Sequence, residues 1–282
     1  MYRLLLLCAL LVCSVAAFAG KGPGAVRKQV ESALYVTGTI DITPSGKVVE
    51  YALDQPEKLP KGIIDMTARL LPQWTFEPIA MQDAAVSRSK MNLLFVGKKL
   101  DDGRYSVELR SATFSSTNPN EWVDVPRTGR KLPTYPSSLI GAGVTGTVFL
   151  IVKIGRDGKV IAIDASHVNL RVISHEAGMQ QWRNLLARQS IAAVKQWTFV
   201  TPTSGPEADE PYWIGTLPLD YILEGQEIPR YSQWQTYVAG PKTLIPWRDE
   251  ALVAEGNTDA LTPNSFHTAG SGRRLLTPLA GG

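Results

Sequence analysis

Gly146-Thr147-Val148, Asp157-Gly158-Lys159-Val160 and Trp197-Thr198-Phe199 decide how this chain folds. Thr147 to Ile154 is rich in β-branched residues, which favours a strand. Gly155-Arg156-Asp157-Gly158 is turn chemistry, because an Asp-Gly pair permits positive φ. Val160 to Ala165 reads as the returning strand. Between His175 and Trp197, Met179, Trp182, Leu185, Leu186, Ile191 and Val194 fall mostly at helical spacing. Tyr212 to Leu223 gives a third strand, with Trp213, Leu217, Leu219, Tyr221 and Leu223 on one face. The order strand, strand, helix, strand implies a small antiparallel sheet with one helix across a face.

The same landmarks occur earlier in the chain. Val36-Thr37-Gly38-Thr39-Ile40 matches Val144-Thr145-Gly146-Thr147-Val148, and Gly46-Lys47-Val48 matches Gly158-Lys159-Val160. Trp74-Thr75-Phe76 matches Trp197-Thr198-Phe199, with Pro78 and Pro202 soon after. Three landmarks in one order imply a tandem duplication whose first copy has drifted. In that copy the first strand is Thr37 to Thr43, the turn Pro44-Ser45-Gly46, and the helix about Gly62 to Leu71, stopped by Pro72. Met91 to Val96 and Arg104 to Phe114 read as strands joined at Asp101-Asp102-Gly103. Ser, Asn, Pro and Gly gather over Ser115 to Lys131, which places a boundary there.

The fold expected is therefore α+β, with units at 20–128 and 129–226. Residues 227–282 show no sustained period and read as a largely irregular tail. Pro246 to Glu255 could form one short helix ended by Gly256, and Asn257 to Gly282 reads as disordered.

Residues 1–19 have the pattern of a signal peptide: Arg3, the apolar run Leu4 to Val12, and Ala17-Phe18-Ala19 as a cleavage site. Leu4 to Ala19 is short against the roughly 20 residues of a membrane span, although an uncleaved anchor is the alternative. Cys8 and Cys13 both lie in this segment, so the mature chain would have no thiol, disulfide or thiolate metal site. Export with packing as the only support points to the periplasm. Across 282 residues, a net charge of +3, with 20% charged residues and 44% hydrophobic ones, gives no case for nucleic-acid binding.

Pro133-Thr134-Tyr135-Pro136, Gly146-Thr147-Val148, Asp157-Gly158-Lys159-Val160 and Trp197-Thr198-Phe199 with its closing strand resemble the TonB C-terminal domain family. The likeness covers Lys131 to Gly225 well and Val36 to Pro78 faintly. It implies two tandem β-β-α-β units and a periplasmic protein-binding module in outer-membrane transport, whose partner is a transporter or another envelope protein. On that resemblance, an extended peptide pairs with a sheet edge, main-chain bonds giving affinity and alternate side chains specificity. The edge expected here is Tyr212 to Leu223, with Trp213, Gly215, Leu217, Leu219 and Tyr221 as contact residues and Pro218 removing one donor. Pro133, Tyr135, Pro136, Gly146, Gly158, Trp197 and Phe199 are expected to be structural.

The family's Pro-rich spacer is missing, Leu132 stands where the family often has glutamine, and the leader has no histidine. These departures argue against coupling to an inner-membrane motor. A scaffold whose edges pair internally or in a homodimer is the alternative to peptide recognition.

Catalysis is not expected. Ser174-His175-Glu176 are neighbours that cannot face one another as a triad and read as a polar helix start. His167 has no companion at metal-ligand spacing. Gly141 to Gly146 precedes a strand and lacks the Lys and Ser/Thr of a phosphate loop. Glu207, Asp209 and Glu210 read as a solvated loop. No metal or cofactor is expected.

Overall fold

Glycine fixes the two tight corners of this protein. A computed structural model describes residues 22–79, 85–126, 128, 130–226, 231–247, 259–263 and 265–279. Gly46 has φ +88° and Gly158 φ +76°, conformations that cost an L side chain strain. A methyl at Gly46 would stand 2.0 Å from the Phe76 carbonyl oxygen, and one at Gly158 would stand 2.2 Å from that of Phe199. The Phe76 N–H donates to the Gly46 carbonyl and the Phe199 N–H to the Gly158 carbonyl, both at 2.8 Å. Isolated bridges join Lys47 to Thr75 and Lys159 to Thr198. The landmarks matched by sequence thus perform matched tasks: each turn is pinned by the Trp-Thr-Phe segment that follows the helix.

Around the first corner stand Val30–Ile42 (β1), Val48–Leu53 (β2), Lys61–Leu70 (α2) and Ser87–Lys99 (β3). Around the second stand Gly146–Gly155 (β5), Val160–Leu170 (β6), Glu176–Val194 (α4) and Tyr212–Tyr221 (β7). In both, the first strand is central: β1 pairs with β2 and β3, and β5 with β6 and β7, all antiparallel. Two short helices, Pro23–Arg27 (α1) and Ser137–Gly141 (α3), precede the first strands. Tyr105–Ser116 (β4) extends the first unit beyond β3.

The protein is a mixed α+β molecule with one large antiparallel sheet and few helices. The sheet runs β4-β3-β1-β8-β6-β5-β7-β9, where β8 is Gln235–Val238 and β9 is His267–Thr268. The tail, expected to be largely irregular, contributes these two short strands. β8 pairs with β1 from Val30 to Ala33 and with β6 at Leu170, so the tail joins the two units. After β8 the chain follows β6 further, Thr243 N–H donating to the Ser166 carbonyl. Ala260, Leu261, Phe266 and Thr268 are buried, which corrects the expected disorder over that stretch. Most of the helix expected at Pro246 to Glu255, and the leader with its two cysteines, lie outside the described residues.

Packing crosses the expected division at residue 128. Val123 and Val125 pack in the second unit's core, as does Val26 from α1. Asp124 and Val200 exchange backbone hydrogen bonds at 2.9 and 3.0 Å. The helix-side cores stay separate: α4 covers Val148, Leu150, Leu217, Leu219 and Trp197, while α2 covers Leu34, Val36, Ile40, Phe76 and Phe95.

The sheet also curls. Laid flat, β4 and β7 would be six strand spacings apart, about 29 Å. Yet Thr268 pairs with Gly215 of β7, while a methyl on Gly272 would be 2.3 Å from the Phe114 carbonyl oxygen of β4. Four residues span at most about 14 Å, so the helix-free faces of the units must turn toward each other. The tail lies between them, Ala260 donating to Ser111 Oγ at 3.1 Å and accepting from Thr113 Oγ1 at 3.0 Å.

Candidate functional site

Strand alternation decides where the expected contact residues go. Trp213, Leu217, Leu219 and Tyr221 sit on the face of β7 that packs under α4, and each is buried. The Tyr221 ring meets Tyr135 edge-on at 5.2 Å, and its hydroxyl lies 2.9 Å from Ser190 Oγ. Burial pushes the Tyr221 phenol up to about 12. Gly215 is buried beneath the tail, where an added methyl would be 2.2 Å from the His267 carbonyl oxygen. Trp213, Leu217, Leu219 and Tyr221 are thus core rather than partner surface, which corrects the expectation for them, and Gly215 faces the protein's own tail.

The backbone edge of β7 is likewise mostly used. Thr268 stands opposite Gly215 and His267 opposite Thr216. Ala269 N–H donates to the Ile214 carbonyl at 2.7 Å. Since peptide groups alternate sides along a strand, Ile214, Thr216, Pro218 and Asp220 share this outward direction. Pro218 therefore lacks its donor on the outer side and leaves the β5 ladder intact, pairing opposite Phe149. Beyond β9, the outward groups of β7 are the peptide groups of Tyr212 and Asp220 and the Pro218 carbonyl.

The motif residues hold the second unit together. The Tyr135 hydroxyl donates to the Val144 carbonyl, which ties the Pro133-to-Pro136 segment to the start of β5. Gly146 lets β6 approach, since a methyl there would be 2.3 Å from the Asn169 carbonyl oxygen. Trp197 Nε1 donates to the Lys131 carbonyl at 2.9 Å, and its ring lies 6.1 Å from that of Phe199. His175 caps α4, its Nδ1 accepting from Gly178 N–H at 3.1 Å.

An open edge remains at the other end of the sheet, where sequence reasoning did not look. Among the described residues, no strand pairs with the outer side of β4. Beside it runs a groove of about 380 Å³ between α2 and β4, lined by Met66, Arg69, Leu70, Gln73, Val107 and Glu108. Its floor is apolar and its rim charged, the usual balance for a recognition cleft. The register slips between Leu94 and Phe95, so Arg110 is an extra, bulged residue on β4. The bulge divides β4 into two regular stretches, Tyr105 to Leu109 and Ser111 to Ser116; Val107 of the first lines the groove, and Tyr105 is 68% exposed. The helical spacing of Met66 and Leu70 was visible in the sequence. Their nearness to Val107 was not.

Between the units lies a small polar pocket of about 30 Å³, room for about two waters. Tyr35, Asn169, Arg171 and Asp259 are among the residues lining it. Arg171 donates to Asp220 at 2.6 Å and to Thr147 Oγ1 at 2.9 Å. Burial raises the Tyr35 phenol pKa, and the carboxylates of Asp259 and Asp220 add to the shift. His167 stacks on Phe149 at 4.4 Å, and its buried Nε2 faces Asp259 at 3.6 Å without a hydrogen bond. Burial pulls this imidazole down to about 4, so it is neutral at pH 7. The hydroxyls of Thr147 and Tyr237, which also line the pocket, donate to the carboxylates of Asp220 and Glu31. Among the described residues, no group of three His, Cys, Asp or Glu is placed to hold a metal. No protein-family model, curated protein or solved structure matches this chain.

Proposed function

We propose that this is a non-enzymatic, TonB-like periplasmic protein of two tandem units that binds an extended peptide by strand addition. Its partner is an outer-membrane transporter or another envelope protein. The observation that carries this reading is the open β4 edge running beside the α2 groove. A strand added at Tyr105 to Leu109 would make main-chain bonds to β4. Alternate side chains would then enter the groove over Met66, Leu70 and Val107. The tandem assignment is supported by the matched corners at Gly46 and Gly158 and by the central first strand of each unit.

Titration of the mature protein with N-terminal peptides of outer-membrane transporters, followed by NMR, tests this. Amide shifts at Tyr105 to Leu109 and methyl shifts at Met66 and Leu70 are expected. Leu70→Asp should abolish them. Unmoved signals at millimolar peptide would remove the reading.

A second reading is an envelope scaffold whose edges pair within the molecule. The insertion of β8 between β1 and β6 favours it. Under this reading no peptide binds at either end of the sheet.

A further inference from the structure

We propose that the tail segment from Phe266 to Ala269 is a resident strand on β7 that an extended peptide carrying an aromatic residue displaces. The proposal rests on the strand-addition reading but concerns the opposite end of the sheet. The geometry around Gly215 points to it. Phe266 lies over that glycine, so that a methyl there would be 2.5 Å from two of its ring carbons. The same ring packs 5.5 Å from Phe199 and is 9% exposed. A glycine floor and an aromatic wall form a slot for a flat side chain, and the chain's own phenylalanine fills it.

The hold on this segment is short in backbone terms. Its ladder with β7 has two positions, beside which the Ala269 N–H donates to Ile214. The fit is also incomplete, because Thr268 Oγ1 is buried without a hydrogen-bond partner. An orphaned buried hydroxyl costs binding free energy that a methyl in its place would not. The best competitor is therefore an extended segment with an aromatic residue where Phe266 stands and valine, not threonine, two residues on. The slot's preference follows from the native occupant's one defect.

Displacement has a definite signature. Apparent affinity equals intrinsic affinity scaled by the fraction of molecules whose edge is free. Weakening the resident segment should therefore tighten peptide binding. The full mature chain, Phe266→Ala and Ala269→Pro are each titrated with a labelled peptide, Asn-Ser-Phe-His-Thr-Ala-Gly-Ser, copied from the tail. Each variant is expected to bind at least tenfold more tightly than the parent, with amide shifts at Ile214 to Leu217. A peptide with valine for threonine should bind more tightly still, and one with alanine for phenylalanine should not bind. Gly215→Ala closes the slot and should abolish binding in every background.

Amide exchange at Thr216, whose ladder partner is His267, reports whether each variant frees the segment. If the segment is freed and the peptide still fails at millimolar concentration, the proposal is overturned. It falls equally if neither variant changes that exchange, because the slot and the Ile214 bond would then not be what holds the tail. Tail exchange between copies, seen as a dimer by sedimentation, would also overturn it. The β4 amides from Tyr105 to Leu109 are read in the same spectra, so failure at β4 and failure at β7 are scored separately.

Discussion

In the first unit the third strand, β3, is covered on its outer side by a strand of 12 residues; in the second, β7 is covered by a strand of 2. The helices differ in the same sense, α2 having 10 residues and α4 having 19. The first unit therefore relies on sheet to close its core, placing Leu109 and Phe114 of β4 beside Trp74 and Phe76. The second relies on a long helix and borrows Phe266 from the tail. One corner motif tolerates both solutions, because the Gly-Lys turn and the Trp-Thr-Phe segment fix only the inner strands. What lies beyond the third strand is free to vary, and there the units differ in what they can offer a partner.

The largest expected effect tests whether the two corners are equivalent. Trp74→Ala and Trp197→Ala should each cost about 3–5 kcal/mol in urea unfolding, the range for emptying a buried aromatic site. Both rings are buried, but Trp197 also donates to the Lys131 carbonyl. Its loss should exceed that of Trp74 by about 1 kcal/mol, the worth of that bond. A cheap Trp74→Ala would break the comparison.

Next in size is the pH response of the face where the units meet. His167 titrates near 4 in the folded protein because of burial, against about 6.5 unfolded. Between those values the unfolded chain binds more protons, so stability falls as pH is lowered from 6.5 toward 4 and then levels. The loss attributable to this residue is about 3 kcal/mol at most, at roughly 1.4 kcal/mol per pH unit. Unfolding curves at pH 7 and pH 4.5 should show it in the parent and lose most of it in His167→Gln.

A smaller effect probes the joint. Val238 is 2% exposed and stands opposite both Val30 and Leu170. Val238→Ala should cost about 2 kcal/mol from lost burial and the cavity left behind. Faster amide exchange should follow in β1 and β6 together. Faster exchange on one side alone would mean that the units hold their edges independently.

These differences also explain what the sequence could reveal. The corners were legible, since Gly46 and Gly158 need positive φ and each is followed by a Trp-Thr-Phe segment. The two longer helices, α2 and α4, were legible from their apolar spacing, and β7 from its alternation. The tail was not. β8 has 4 residues and β9 has 2, too few to show any period, and their partners lie far off in sequence. Val238 pairs with Val30, and Ala260 is buried against Ser111 and Thr113. Nor was the curl legible, since it follows from where Gly215 and Phe114 meet the tail. The alternation that marked Leu217, Leu219 and Tyr221 as one face was read correctly. Whether that face met solvent or α4 is decided by tertiary packing, and here it met the helix.

The middle of this sheet is filled by a strand that follows both units in the chain. Because Gln235 to Val238 emerges after both units, each half is exposed for a time with an unmatched flank, at β1 and at β6. Closing a loop of some two hundred residues is entropically slow, and open flanks invite association with other nascent chains. Maturation of this protein should therefore proceed as two early collapses followed by a delayed zipping event, and crowding or chaperone supply during that interval should govern its yield.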